Sequence, residues 1–181
     1  ASLLSGLLTA CGGGGVSVGG GQSTDPVIVD VAIAYVKRPV PVDNQGAVKP
    51  SDVRELRSFN IGADLFVRER AAVSAAEINV TNRITQGSGL FDVRDLEMSF
   101  DGTKVLFAMR GPFEQGADEK DQPTWNIWEY TLDTDVLRRI ITSDLTAEAG
   151  QDVAPQYLPD GRIVFSSTRQ RQSKAVLLDE G

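Results

Sequence analysis

Histidine is absent from the 181 residues, and cysteine occurs once, as Cys11. Without an imidazole, neither a Ser-His-Asp nor a Cys-His nucleophile can be assembled within this chain. A Cys/His zinc cluster is excluded on the same ground, and a lone cysteine cannot close a disulfide within the chain. Basic residues are in the minority, 18 Lys and Arg against 25 Asp and Glu, giving a net charge of −7. That balance is wrong for a nucleic-acid surface and for adhesion to anionic lipid. Its plainest consequence is solubility. No apolar run approaches the roughly 20 residues that a membrane-spanning helix needs. What is present is enough to build a core: 41% of the residues are hydrophobic.

The most informative pattern is a repeated turn. Asp152-Val153 is followed by Pro159-Asp160-Gly161 and the apolar triplet Ile163-Val164-Phe165. Earlier, Asp92-Val93 is followed by Asp101-Gly102 and Val105-Leu106-Phe107. Pro fixes φ, Asp bonds its own backbone and Gly accepts a positive φ, so Pro159, Asp160 and Gly161, like Asp101 and Gly102, are turn residues between two strands. The two Asp-Gly pairs lie about 59 positions apart (160 − 101), and repetition at that period points to a repeat architecture. Ile33-Ala34-Tyr35-Val36 resembles the two apolar runs and is taken as the same strand in a preceding unit.

The unit that begins at Asp92 reads as four strands, Leu96–Phe100, Val105–Met109, Asn126–Leu132 and Val136–Thr142, with Asp133-Thr134-Asp135 as a hairpin turn. Ala63–Glu69 and Glu77–Thr81, extended by Ile84-Thr85, are the counterparts of the last two, with Ala71–Ala76 as the loop between them. Arg54–Phe59 is expected to hold a short helical turn. The predicted fold class is therefore all-β. Four antiparallel strands per unit make the blade of a β-propeller. Residues 27–181 amount to about two and a half blades, fewer than the roughly 4–8 of a closed ring. An incomplete propeller, the amino-terminal fragment of a longer protein, is the expectation.

Pro155-Gln156-Tyr157-Leu158-Pro159-Asp160-Gly161 resembles the TolB-like propeller repeat, whose hallmark is Pro-x-aromatic-x-Pro-Asp-Gly before a strand. Asp101-Gly102-Thr103-Lys104 is a weaker copy without the prolines. Gly89-Leu90-Phe91-Asp92-Val93-Arg94-Asp95-Leu96, Thr124-Trp125-Asn126-Ile127-Trp128-Glu129-Tyr130 and the closing repeat also resemble exported bacterial proteins related to the α subunit of hydrazine synthase. The haem-bearing parts of that family need Cys-x-x-Cys-His, which this chain lacks.

Residues 1–10 contain Leu3, Leu4, Leu7 and Leu8 and resemble the end of the apolar core of a signal peptide. Leu8-Thr9-Ala10-Cys11 resembles the bacterial lipobox, which implies lipidation of Cys11. Gly12, rather than Asp, after the cysteine implies sorting to the outer membrane. Residues 11–26 then form a lipidated, Gly-rich tether with a mean reach of roughly 20 Å. Gly12–Gly15 lacks the strand and the Lys-Ser/Thr of a phosphate loop.

Among the remaining candidates, the acidic segment Glu114, Asp118, Glu119 and Asp121 offers oxygens to a cation such as Ca²⁺ but lacks the order of a loop chelator, and a solvated loop is the favoured reading. Trp128 and Tyr130 alternate with Ile127 and Glu129 on one strand that also carries Trp125, and the three aromatics either fill space between blades or stack a sugar or peptide. Asp92 and Asp152 open equivalent units and either face a central channel or bond turn amides, the favoured reading. Ser166 and Ser167 lie on a strand and lack a base. Arg138-Arg139 and Arg169-Gln170-Arg171 are basic spots in an acidic chain, read chiefly as solvated strand ends. Asn79-Val80-Thr81 matches a glycosylation pattern that a bacterial context makes irrelevant.

No catalytic residue, metal ligand or cofactor motif is recognisable. The expected function is that of a lipid-anchored outer-membrane protein, facing the periplasm or the cell surface, whose propeller binds or scaffolds a protein partner. The alternative is the non-catalytic propeller of a larger periplasmic enzyme, a haem protein or a hydrolase, with its active site beyond Gly181.

Overall fold

The structure is a computed structural model that describes residues 31–48, 55 and 58–169. Cys11, the tether, Val27–Asp30, half of Arg54–Phe59, Gln170-Arg171 and the carboxyl-terminal Leu178–Gly181 lie outside the described residues. The described residues belong to one unit, 31–181.

Among the described residues, nine strands form three antiparallel sheets. β1 (Ile33–Lys37), β2 (Asp64–Arg68) and β3 (Glu77–Asn79) make the first, in the order β1-β2-β3. β4 (Asp92–Met98), β5 (Lys104–Arg110), β6 (Asn126–Thr131) and β7 (Val136–Arg139) make the second, in chain order. β8 (Asp152–Tyr157) and β9 (Ile163–Ser167) make the third. The all-β expectation holds, and the meander β4-β5-β6-β7 follows the four predicted strands closely. Among the described residues, no helix is long and apolar enough to cross a membrane.

Two departures have local causes. Ile84 and Thr85 do not continue a strand; they lie in the short helix α1 (Asn82–Thr85). The Asp64 carboxylate accepts from the hydroxyls of both Thr81 (2.6 Å) and Thr85 (2.9 Å), which are four residues apart and so share one helical face. The second departure is the start of β4, at Asp92 rather than Leu96. Arg94 pairs with Ala108 and Glu97 with Leu106, so Asp95 and Leu96 together face Phe107. This is a β-bulge, and it carries the strand past an irregularity that sequence pattern reads as an end.

The bulge recurs. In β8, Val153 pairs with Ser166 and Gln156 with Val164, leaving Ala154 and Pro155 opposite Phe165. Pro155 is tolerated there because a bulge residue owes no ladder hydrogen bond. Asp95 and Ala154 both have positive φ, 56° and 51°. They are 59 positions apart, and the Ala154 amide donates to Asp95 Oδ2 at 3.0 Å. Each bulged hairpin also closes on its Asp-Gly turn: Gly102 (φ 72°) donates to Ser99 O and Gly161 (φ 82°) to Leu158 O, both at 2.9 Å.

The core explains why β5 is apolar at consecutive positions. Phe107 and Met109 pack with Leu65 and Val67 of the first sheet and with Ala63 and Val80, which flank its strands. Leu106 and Ala108 point the other way, into a cluster with Trp125, Ile127 and Tyr157, the last from the third sheet. The second sheet is thus covered on both faces, and its central strand needs no polar face. Complete burial of Phe107 or Leu106 contributes about 1.5–3 kcal/mol each.

Candidate functional site

The predicted turn residues Asp101, Gly102, Pro159, Asp160 and Gly161 are exposed at the hairpin tips and serve the turns themselves. Asp101 Oδ1 accepts from the Ser99 hydroxyl (2.6 Å) and from the Thr103 amide (3.0 Å) and hydroxyl (2.8 Å). These bonds, the Ser99 one foremost, hold its pKa down at about 2. Asp160 Oδ1 accepts from the Arg162 amide at 3.1 Å.

Asp92 and Asp152 are buried, but they do not occupy the same rung. Asp92 pairs with Arg110, three rungs before its bulge, whereas Asp152 pairs with Ser167, two rungs before its own. Their partners differ accordingly. Asp92 accepts from the Asn60 amide (2.8 Å) and from Arg38 Nη2 (3.0 Å), which follows β1 of the first sheet. Asp152 is paired with Arg169, beyond β9 of its own sheet. Burial raises the pKa of both carboxyls.

The strand aromatics divide. Trp125 is fully buried between the second and third sheets, and Tyr130 lies in the core on the opposite face, its hydroxyl donating to Asp135 at 2.9 Å. Trp128 is half-buried. Of the basic pair, Arg138 is committed to buried Glu129 (2.8 Å) and Arg139 to Asp144 and Thr142 O. The acidic loop folds around the side-chain amide of Gln122. Gln122 Nε2 donates to Glu114 O (2.7 Å) and Ala117 O (3.2 Å), while its Oε1 accepts from the Glu114 amide (3.0 Å). Among the described residues, no three His, Cys, Asp or Glu side chains converge as metal ligands would.

Those same elements enclose a cleft of about 440 Å³ where β5 leaves the second sheet and β6 enters it. Its apolar surface comes from Ile84 and Phe91 of the β3–β4 connection, Met109 of β5 and Trp128 of β6. Its polar surface comes from Glu114, Lys120 and Asp121 of the clasped loop, Asn126 of β6, Arg139 of β7 and Glu148 after the short helix α2 (Asp144–Ala147). Strand register sets this convergence: Met109 pairs with Asn126, Trp128 with Arg139, and Asn126 and Trp128 are two apart, so all four share one face. Gly111 lines the opening with φ 138°, and a Cβ there would meet Phe91 at 2.7 Å.

Asn126 is the residue that sequence reasoning passed over. Its Nδ2 donates to Thr124 O at 3.1 Å and approaches Thr124 Oγ1 at 3.3 Å, while its Oδ1 is buried without a hydrogen-bond partner among the described residues. The signal was an amide in register with Trp128 and Tyr130 on a strand whose other members are apolar or paired. A second cleft, about 410 Å³, lies on the outer face of the first sheet beside Tyr35 and Arg68. There the polar groups satisfy one another: Tyr35, Lys37 and Arg68 all converge on Glu77, whose pKa their hydrogen bonds, led by that of Lys37, lower to about 2. The cleft beside Asn126 is the one with an unmet polar group.

Comparison with known proteins finds no family model that matches the chain and no curated protein that matches it in sequence.

Proposed function

We propose that this chain is a binding module, a stack of β-propeller blades of the TolB-like kind that presents its connecting loops to a partner. In this reading Cys11 carries a lipid and the tether holds the module at the bacterial outer membrane, on the periplasmic or the outer side. The observation that carries it is the repeated bulged hairpin. Two copies 59 positions apart meet through the Ala154–Asp95 hydrogen bond, and the sheet holding the first copy is packed on both faces. Radial stacking of small sheets produces that relation, and it puts the inter-strand loops at the ends of the stack, where ligands reach them.

The cleft beside Asn126 lies among such loops and is of the size that binding sites take. The anchor is tested by Cys11→Ser in the full protein. The variant is expected to leave the membrane pellet for the soluble fraction, and retention in the pellet overturns the lipid anchor.

A further inference from the structure

We infer that the outer edge of β1 takes an extended strand from a protein partner, running antiparallel to β1 as β4 runs to β5. The inference rests on the binding-module reading and names the edge of the stack that a partner completes.

Three observations point the same way. The first is the state of the edge. β1 pairs with β2 along its full length without a register shift, and among the described residues its other side pairs with no strand. The Val80 amide donates to Leu65 O, so Leu65 turns its polar groups to β3 and its neighbour Phe66 turns its own to β1. Backbone groups alternate sides along a strand, so Ile33, Tyr35 and Lys37 bond β2, and the N–H and C=O of Ala34 and Val36 point outward. The second is the lack of protection. Sheet edges are commonly shielded by brevity, charge, proline or a bulge. The edge strand β3 has three residues and β7 ends on Arg138-Arg139, whereas Ile33-Ala34-Tyr35-Val36 is apolar and regular.

The third is the repeat, which shows what covers such an edge. Leu106 and Ala108 hold the positions of Ala34 and Val36, and they pair with Glu97 and Arg94 of β4 on either side of its bulge. Val164 and Ser166 pair in the same way with Gln156 and Val153 of β8. Each of those covering strands turns into its neighbour through Asp-Gly, at 101–102 and 160–161. Val31-Ala32, which lead into β1, have no turn chemistry, so the covering strand does not arrive through such a hairpin. Both described strands of this kind, β4 and β8, are already paired. A partner's strand fills the place, its backbone bonds to Ala34 and Val36 giving affinity and its alternate side chains specificity.

The test is amide hydrogen exchange, followed by NMR in the full chain. The probe is a peptide of the β4 sequence, residues 92–98, and the control is the same peptide scrambled. With the probe bound, the Ala34 and Val36 amides are expected to exchange at least about 10-fold more slowly, as a newly made backbone hydrogen bond at each implies. The Tyr35 amide, already bonded to β2, should change little, and the scrambled peptide should protect neither site. Ala34→Pro removes one outward donor without touching the β2 ladder and is expected to abolish protection of Val36 by the probe. Unchanged Leu65 and Phe107 signals establish that the first two sheets stay packed in that variant. No added protection at the highest soluble probe concentration, or equal protection by the scrambled peptide, overturns the inference. So does slow exchange of both amides in the chain alone, which marks an edge covered by the chain itself or, where it grows with protein concentration, by a second copy. The Leu106 and Ala108 amides are read in the same spectra. Their protection by β4 tests the stacked-sheet reading separately, so failure of the edge is distinguished from failure of the module.

Discussion

Glu129 and Tyr157 offer a direct probe of how the third sheet docks on the second. Glu129 is 3% exposed on β6, and the Tyr157 hydroxyl of β8 donates to its Oε2 at 3.2 Å. On the other side of the carboxylate, Arg138 donates to Oε1 at 2.8 and 3.1 Å and Lys104 lies 3.6 Å away. Tyr157→Phe removes one hydrogen bond to a charged acceptor and is expected to cost about 1.5–2 kcal/mol. Glu129→Ala removes the same bond and the packing of the stem. The Arg138 side chain, 55% exposed, returns to water and adds no more than about 1 kcal/mol. About 3 kcal/mol in all is expected. The double variant should also cost about 3 kcal/mol, because the shared hydrogen bond is lost once, so the coupling is about 1.5 kcal/mol. Urea unfolding of the four proteins measures it. Additivity within about 0.5 kcal/mol would refute the contact between the two sheets.

Three further outcomes follow from particular residues. Ala154 is exposed and holds a left-handed φ of 51°, so Ala154→Gly should stabilise the protein by about 0.5–1 kcal/mol in the same assay. Gly111→Ala sets a Cβ against the Phe91 ring at a φ that side chains avoid, and a loss of more than about 2 kcal/mol is expected in the same assay. Burial and the hydrogen bond to Asp135 raise the Tyr130 pKa to about 12, so its ionisation should appear near that pH in an absorbance titration. Since the folded pKa lies above the ordinary tyrosine value of about 10, the associated stability is fully present below pH 10 and is lost as pH rises through about 12.

Much of the fold was legible because turns and buried strands have strong local chemistry. Asp-Gly at 101–102 and 160–161 marked both hairpins, and the unbroken run Val105–Met109 marked a strand covered on both faces. The failures share a cause, which is that ladder register is not written in residue identity. Asp92-Val93 and Asp152-Val153 look alike, yet the first turn is one residue longer, and the two aspartates fall on different rungs. Ile84-Thr85 has strand propensity, but Asp64, 17 and 21 residues before them in the chain, draws Thr81 and Thr85 into a helical turn. The cleft was the least legible part. Its walls come from seven separated stretches of chain, and the unmet acceptor on Asn126 exists only because Thr124 O claims the other half of the amide.

The central claim is that β5 divides its side chains between two neighbouring sheets. Nuclear Overhauser contacts in the full chain test it most directly. Phe107 and Met109 should show contacts to methyl groups among Ala63, Leu65, Val67 and Val80, and Leu106 and Ala108 to the Tyr157 ring and its cluster, with no exchange of partners between the two sets. Contacts from Leu106 and Phe107 to the same neighbours, or none from Leu106 to any residue of β8 or β9, would contradict the account.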